Sequence, residues 1–316
     1  MSTSEAETAI STHRPKVVYV MGGHRIGSTV LGVTLGNCAD VFFAGEVHCW
    51  FTRRGVPAYG GEGAETLWRA VREKVTDAEE LFGHDTELYL DRSSALYRLN
   101  KWPLRRRLRP RYQRMTTELY RAIANVAGAS HIVDTSHYPL RARELQRLEG
   151  VELFILFLVR DPQEVIASFD PRGDAPAESK PKLRANFHMW VTHLLSLLVF
   201  LRQPRARRLF LRHEQFVADP ENVVRQILDR VGSPAEMPDF TSLETGYPLQ
   251  GNRFLRSSKV IALSRATRKR ARSSWFTALV QSPWVPVFRL LRPRVKAGSA
   301  GGAPEPQGQT VASDTT

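Results

Sequence analysis

Cysteine is nearly absent: Cys38 and Cys49 are the only two in 316 residues. Two thiols exclude a disulfide scaffold and a four-cysteine zinc site. Long apolar runs are missing too. The longest nearly uncharged stretch, Val191 to Leu201, is about half a membrane span. The first 16 residues are polar and lack the apolar stretch of a secretory signal, so the expected location is cytoplasmic, in a reducing compartment. Acid is short relative to base, 32 Asp and Glu against 45 Lys and Arg, a formal net charge of +13. That balance favours anionic partners and says nothing about fold. The shortage is local as well. Lys101 to Arg114 has seven basic residues and no acid, and 245–304 has twelve basic residues and no acid.

What is present suits a globular chain. At 42% hydrophobic and 24% charged residues, the length allows one large domain or two small ones. Residues 1–15 are polar and Ser/Thr-rich, and 297–316 are rich in Gly, Ala, Pro, Ser and Thr. Both read as disordered ends. Between them, short apolar runs alternate with helical patterns and no repeat is visible. Strands are expected at Lys16–Met21, Asp40–Ala44, His131–Asp134, Glu152–Val159 and Arg208–Arg212, with a helix from Ser28 to Asn37. Apolar runs without alternation suit a parallel sheet covered on both faces. The expectation is an open, mostly parallel α/β sheet of about five strands flanked by helices, P-loop-NTPase-like, over residues 16–260. Residues 62–127 read as a helical cap inserted between the second and third strands. Residues 261–296 form a basic and aromatic C-terminal segment.

Ligands of such sheets bind beyond the carboxyl ends of the strands, so chemistry is sought there. After the first strand comes Gly22-Gly23-His24-Arg25-Ile26-Gly27-Ser28-Thr29. Glycine lets backbone approach a ligand, and a helix start offers unpaired N–H groups and a positive dipole end. Together they make a phosphate cradle. The pattern is close to the nucleotide-binding G-x-x-x-x-G-K-[ST], but Ser28 stands where that loop has Lys. Arg25 supplies a cation inside the loop instead. The plainer alternative is a tight turn with Ser28 as helix N-cap.

This strand followed by Gly-x-x-Arg-x-Gly-Ser-Thr-x-Leu resembles the 5′-phosphosulfate loop of sulfotransferases that use 3′-phosphoadenylyl sulfate (PAPS). The resemblance implies that Arg25 meets the sulfonate and the bridging oxygen, that Ser28 and Thr29 hold the 5′-phosphate, and that Gly23, His24, Ile26 and Gly27 belong to the same cofactor loop. A second motif, Arg160-Asp-Pro-Gln-Glu-Val-Ile-Ala-Ser168, follows the strongest strand. Physically it is either an arginine–hydroxyl clamp for one phosphate or a helix start with Arg160 in an ion pair. In the family the matching motif binds the 3′-phosphate, which implies that role for Arg160 and Ser168. Gly251-Asn252-Arg253 resembles a segment near the 3′-phosphate in bacterial members and brings Asn252 and Arg253 into the expected set. The resemblance runs from about residue 16 to 260.

Sulfonyl transfer requires a group that takes the acceptor's proton. Glu46 follows the second strand and matches the base of the tyrosylprotein members. His137 follows the third and resembles the base of the small-molecule members. The sequence reading takes Glu46 as base with His137 beside the sulfonate or acceptor, and His137 as the alternative. His48, Cys49 and Cys38 lack zinc-ligand spacing, so no metal is expected. The resemblance implies a metal-free transfer.

Two rivals remain. A P-loop kinase shares the fold but needs the missing Lys and a Mg²⁺-holding acid. A nucleic-acid binder would use the basic runs, but no recognition motif accompanies them. The expected acceptor is a glycan, lipid or other small molecule. For residues 262–294, where Arg265–Arg272 adjoin Trp275, Phe276, Trp284 and Phe288, two readings stay open. One is packing on the domain, and the other is peripheral attachment to an anionic membrane, at its inner face.

Overall fold

The computed structural model describes residues 14–76, 78–83, 86, 90–92, 100, 102–167 and 183–263. Ser168 and the basic segment beyond residue 263 lie outside them. In chain order the main elements are β1 (Lys16–Met21), α1 (Ser28–Gly36), β2 (Val41–Gly45), α2 (Cys49–Arg53), α3 (Gly61–Glu73), α4 (Trp102–Ala127), β3 (His131–His137), α5 (Pro139–Leu145), β4 (Glu152–Val159), α6 (Pro162–Ala167), α7 (Leu183–Arg202), β5 (Arg208–Arg212), α8 (His213–Ala218), α9 (Pro220–Val231), β6 (Leu243–Glu244) and β7 (Val260–Ile261).

The first five strands form one sheet in the order β2-β3-β1-β4-β5, and every pairing is parallel. Side chains of β1 alternate between two cores, as strand geometry demands. Val17, Tyr19 and Met21 face a layer built by α3, α4 and α7. Val18 and Val20 face a layer built by α1, α8 and α9. Both faces are therefore dry, which is why β4 reads as seven successive buried apolar residues after Glu152. β1 lies at the centre: the chain leaves it toward β2 on one side, while its neighbour β4 on the other side leads on to β5 in the opposite direction. The crevice at its carboxyl end is thus the topological switch point where such sheets bind ligands.

The stretch expected as a helical cap does hold α3 and α4. The carboxyl half of α4 packs into the sheet's own core, with Leu119 and Ile123 fully buried against the layer that holds Val17 and Ile155. The larger departure is β3. Its apolar run ends at Val133, yet the strand continues through Asp134-Thr-Ser-His137 with every residue buried. The polar extension is possible because its charge is met from neighbouring helices. The carboxylate of Asp134 accepts from the Tyr120 hydroxyl at 2.5 Å and lies 3.4 Å from the Arg141 guanidinium. Arg141 also donates to Tyr112 at 2.8 Å and to Tyr120 at 3.1 Å, and Tyr112 donates to Asp91 at 2.6 Å. Arg141, Asp134 and Asp91 are all 0% exposed. Burial, with the two carboxylates, raises the tyrosine hydroxyls well above their ordinary range, so they stay protonated as donors.

Two buried carboxylates thus share one guanidinium. Arg141→Met should cost about 3–5 kcal/mol of unfolding free energy in urea titrations, because it strands both charges in the core. A cost under about 1 kcal/mol would contradict a network held by that cation.

Candidate active site

The loop after β1 is wound by residues with positive φ: Gly22 (144°), Gly23 (111°), Arg25 (62°) and Gly27 (89°). Successive left-handed residues turn backbone N–H groups to one side and form an anion-binding concavity. Side chains are excluded at its ends. A Cβ on Gly22 would lie 1.9 Å from the Leu158 carbonyl oxygen, and one on Gly27 would lie 2.4 Å from His213 Nδ1. Ile26, fully buried in the core, pins the loop and does not itself line the crevice. The N-cap of α1 is Gly27, not Ser28, and no side chain caps it. The first-turn N–H groups thus have no side-chain cap, and Ser28 and Thr29 line the crevice.

The crevice is a cavity of about 720 Å³. The ends of three strands line it. β1 contributes His24, Arg25 and Gly27–Thr29, β2 contributes Glu46, His48 and Cys49, and β3 contributes His137 and Tyr138. Arg53 and Arg92 add two cations, so among the described residues of the lining Glu46 is the single acid beside three arginines. A fourth wall carries Asn252, which the sequence flagged, beside Gln250, which it did not. Residues 249–252 run back along the end of β2, where Leu249 N–H donates to Ala44 O (2.9 Å) and Glu46 N–H to Gln250 O (2.8 Å). The Gln250 amide lies 3.4 Å from the Glu46 carboxylate.

The imidazoles gather. The rings of His24 and His137 are 4.1 Å apart, and those of His48 and His137 are 5.8 Å apart. Burial lowers all three pKa values. His24 falls to about 4, with the charges of His188, Arg92 and Arg25 adding to burial, and His48 and His137 fall well below the usual histidine range. His137 itself sits at φ 55°, a strained position for a non-glycine residue. Its Nδ1 lies 3.2 Å from the Thr135 carbonyl oxygen and so carries the proton. The lone pair is then on Nε2, which is buried and has no hydrogen-bond partner among the described residues.

Arg160 lies outside the lining, against the loop after β1. Its Nη1 donates to the carbonyl oxygen of Arg25 at 3.3 Å, which ties the two strand-end segments together across 135 residues. Its Nε and Nη2 both donate to Glu164 Oε2, at 3.0 and 2.8 Å. The ion pair that the sequence allowed as an alternative therefore forms. A phosphate would share this guanidinium with Glu164.

Residues 15–237 match the Sulfotransferase family. The chain belongs to that family. Among solved structures, a sulfotransferase domain from the curacin biosynthetic pathway superposes with a TM-score of 0.50 at 19% identity, covering 86% of this chain and 98% of that one. A sulfotransferase domain from the Synechococcus PCC 7002 olefin synthase gives 0.51 at 16% identity, covering 86% and 95%. At these identities the likeness is one of fold. A comparison with curated proteins finds no match.

Against this family fold, the expected site residues sort clearly. Arg25, Gly27, Ser28, Thr29, His24, Glu46, His137 and Asn252 meet at one cavity. Gly23 turns toward α7, where a Cβ would lie 3.8 Å from His193, and does not line the cavity. Arg160 adjoins the loop from outside the lining. The side chain of Arg253 lies outside the described residues, as does Ser168. Sequence reasoning gave no role to Arg53, Arg92, Tyr138 or Gln250. Gln250 adjoined the flagged Gly251-Asn252-Arg253 segment, and Tyr138 stood next to His137. Tyr138 is fixed by Tyr19 of β1, whose hydroxyl donates to its carbonyl oxygen at 2.8 Å.

Buried neutral histidines make stability depend on pH. His24, His193 and His213 each sit at about 4 in the folded chain, against an unfolded value near 6.5. Between those values the unfolded chain binds more protons, so unfolding free energy should rise with pH from about 4 to 6.5 and then level off. His193→Gln should flatten that slope by up to one proton. Denaturant titrations at stepped pH measure it, and a slope of opposite sign would contradict the neutral, buried state.

Proposed function

We propose that the chain moves a sulfonyl group from PAPS to a hydroxyl or amine of a glycan, lipid or other small-molecule acceptor. The observation that carries this reading is the hydrogen bond from Arg160 to the Arg25 carbonyl, which ties the strand-end segment after β4 to the loop that lines a cationic cavity. A PAPS-shaped ligand has two phosphate positions, and the residues fit both. The left-handed loop and uncapped helix start suit the 5′-phosphosulfate. Arg160 suits the 3′-phosphate, with Asn252 in the cavity wall and Ser168 expected from the motif. The absence of a P-loop Lys at Ser28 argues against an ATP-dependent kinase.

When bound, PAPS supplies the sulfonyl group and leaves as the 3′,5′-bisphosphate, PAP. Ser28, Thr29 and the first-turn N–H groups hold the 5′-phosphate, and Arg25 meets the charge that grows on the bridging oxygen. The acceptor oxygen or nitrogen bonds to sulfur as the sulfur–phosphate oxygen bond breaks, and the acceptor proton passes to a base. Glu46 lines the cavity and is suited to that role. A specific observation favours His137: its tautomer is fixed by Thr135, and its Nε2 lone pair is buried without a partner among the described residues. We therefore assign the proton to His137 Nε2, with Glu46 beside it.

Three substitutions test the assignments. Arg25→Ala should lower kcat by roughly 100-fold or more while PAP affinity changes little, by analogy with loss of an oxyanion donor. Unchanged turnover at saturating PAPS would refute it. Arg160→Ala should weaken PAP more than adenosine 5′-phosphosulfate, which lacks the 3′-phosphate, and equal losses would sink the 3′-phosphate role. His137→Ala should abolish turnover with PAP binding retained while Glu46→Gln is milder, and the reverse ranking returns the base to Glu46. Thermal shifts that rank ATP with Mg²⁺ above PAP would favour the kinase reading instead.

A further inference from the structure

The cavity wall also carries a donor cluster that sulfonyl transfer does not require. Gly45, at φ 77°, turns the chain out of β2, and Cys49 N–H donates to Glu46 O at 3.0 Å. The resulting tight turn brings three side chains together. A carboxylate oxygen of Glu46, an imidazole nitrogen of His48 and the sulfur of Cys49 all lie within 4.8 Å of one another. His48 Nε2 and Cys49 Sγ are already 3.3 Å apart. All three residues line the cavity, Glu46 partly exposed and His48 and Cys49 buried in its wall. The spacing argument that set aside His48 and Cys49 paired them with Cys38. Cys38 instead sits past the end of α1, its sulfur on the Thr34 carbonyl, and Glu46 takes its place.

We propose that Glu46, His48 and Cys49 form a binding site for a zinc-class divalent ion, and that the bound ion stops turnover. Mixed oxygen, nitrogen and sulfur donors suit zinc in preference to magnesium or calcium. Tetrahedral ligation at ordinary zinc distances sets sulfur and nitrogen about 3.6 Å apart, close to the spacing present, and the carboxylate needs roughly 1 Å of side-chain adjustment. Charge balances as well. The Cys49 thiol gives its proton to solvent as the sulfur–metal bond forms, and a dication with one carboxylate and one thiolate is formally neutral despite the nearby arginines. His48 N–H donates to Ser136 Oγ at 3.0 Å, which fixes its backbone to the end of β3. Three protein ligands leave a coordination position open to the cavity. An ion there occupies Glu46 and stands beside His137, in the space the acceptor must enter. The inhibitory half rests on the sulfotransferase reading, and the site itself does not.

The full chain, stripped with a chelator, is titrated with zinc in competition with a chromophoric chelator, and separately with cobalt(II). One equivalent of zinc and a cobalt–thiolate charge-transfer band are expected. Cys49→Ser and Glu46→Gln should each weaken zinc by about 100-fold or more, since even outer-shell partners are worth 10–100-fold, while Cys38→Ser changes nothing. Absence of the cobalt–thiolate band from the unmodified chain, or zinc uptake unaffected by Cys49→Ser, overturns the site without depending on how any variant folds. Turnover of PAPS should stop at saturating zinc and return with chelator. In Cys49→Ser it should be insensitive to the same zinc, relative to that variant's own metal-free rate. Turnover unchanged by saturating zinc overturns the inhibition. If the metal-free chain does not consume PAPS at all, the sulfotransferase reading fails, and the stoichiometry and cobalt spectrum still decide the site.

Discussion

The buried carboxylate of Asp134 is the constraint on which the cavity depends. A polar strand end inside a dry sheet is viable only if its charge is compensated, and Arg141 with Tyr120 does that from two different helices. The other carboxylate oxygen accepts from the backbone N–H of Ser136 at 2.8 Å and from its hydroxyl. That hydroxyl in turn accepts from His48 N–H. One charge thus fixes β3 up to His137 and the start of α2 at His48. The ends of β2 and β3 are held in register by hydrogen bonds that leave their side chains to face the crevice.

The loop after β1 solves a different problem. It must present N–H groups to an anion without placing side chains in the way, and it does so by taking left-handed backbone at four positions. Three of those are glycines, which take such φ values at little cost. The fourth is Arg25, which as a non-glycine residue holds a conformation of some strain. Ile26 in the core and Arg160 on the Arg25 carbonyl over-determine that conformation from both sides. The strained residue is also the one whose cation faces the cavity.

These two devices differ in how far the sequence exposes them. β1, β4 and β5 were legible to the residue, because uninterrupted apolar runs bounded by Gly, Asp-Pro or charged residues leave little alternative. The glycine loop was legible from its spacing. β3 was cut short at Asp134 because pattern reading treats a run of polar residues as a strand's end. The partners that make Asp134 tolerable are 14 and 7 residues away on helices. In the wall at residues 249–252, Asn252 was flagged from its motif, but Gln250 was missed for a related reason: that stretch is held by backbone bonds to Ala44 and Glu46 across some 200 residues, and short irregular chain has no periodicity to read. The proximity of Glu46, His48 and Cys49 was not legible either, because it is set by the turn after Gly45 and not by spacing along the chain.

The depressed histidines bear on how such a cavity would work. In the ligand-free chain, burial and neighbouring cations leave His24 and His137 as poor proton acceptors. A base of that kind is neutral at pH 7 but weakly basic, and proton transfer is most effective when the base has a pKa near the working pH. Bringing phosphate and sulfonate charge against Arg25, the loop and His24 reverses the sign of the local field, and a nearby negative charge raises an imidazole pKa. On the sulfotransferase reading, occupancy by the donor therefore moves His137 toward the range in which it can take an acceptor's proton. The same burial that suppresses it in the empty cavity keeps its lone pair unprotonated until then. Basicity and donor binding become linked through charge alone, with no movement of the strand end that Asp134 holds in place.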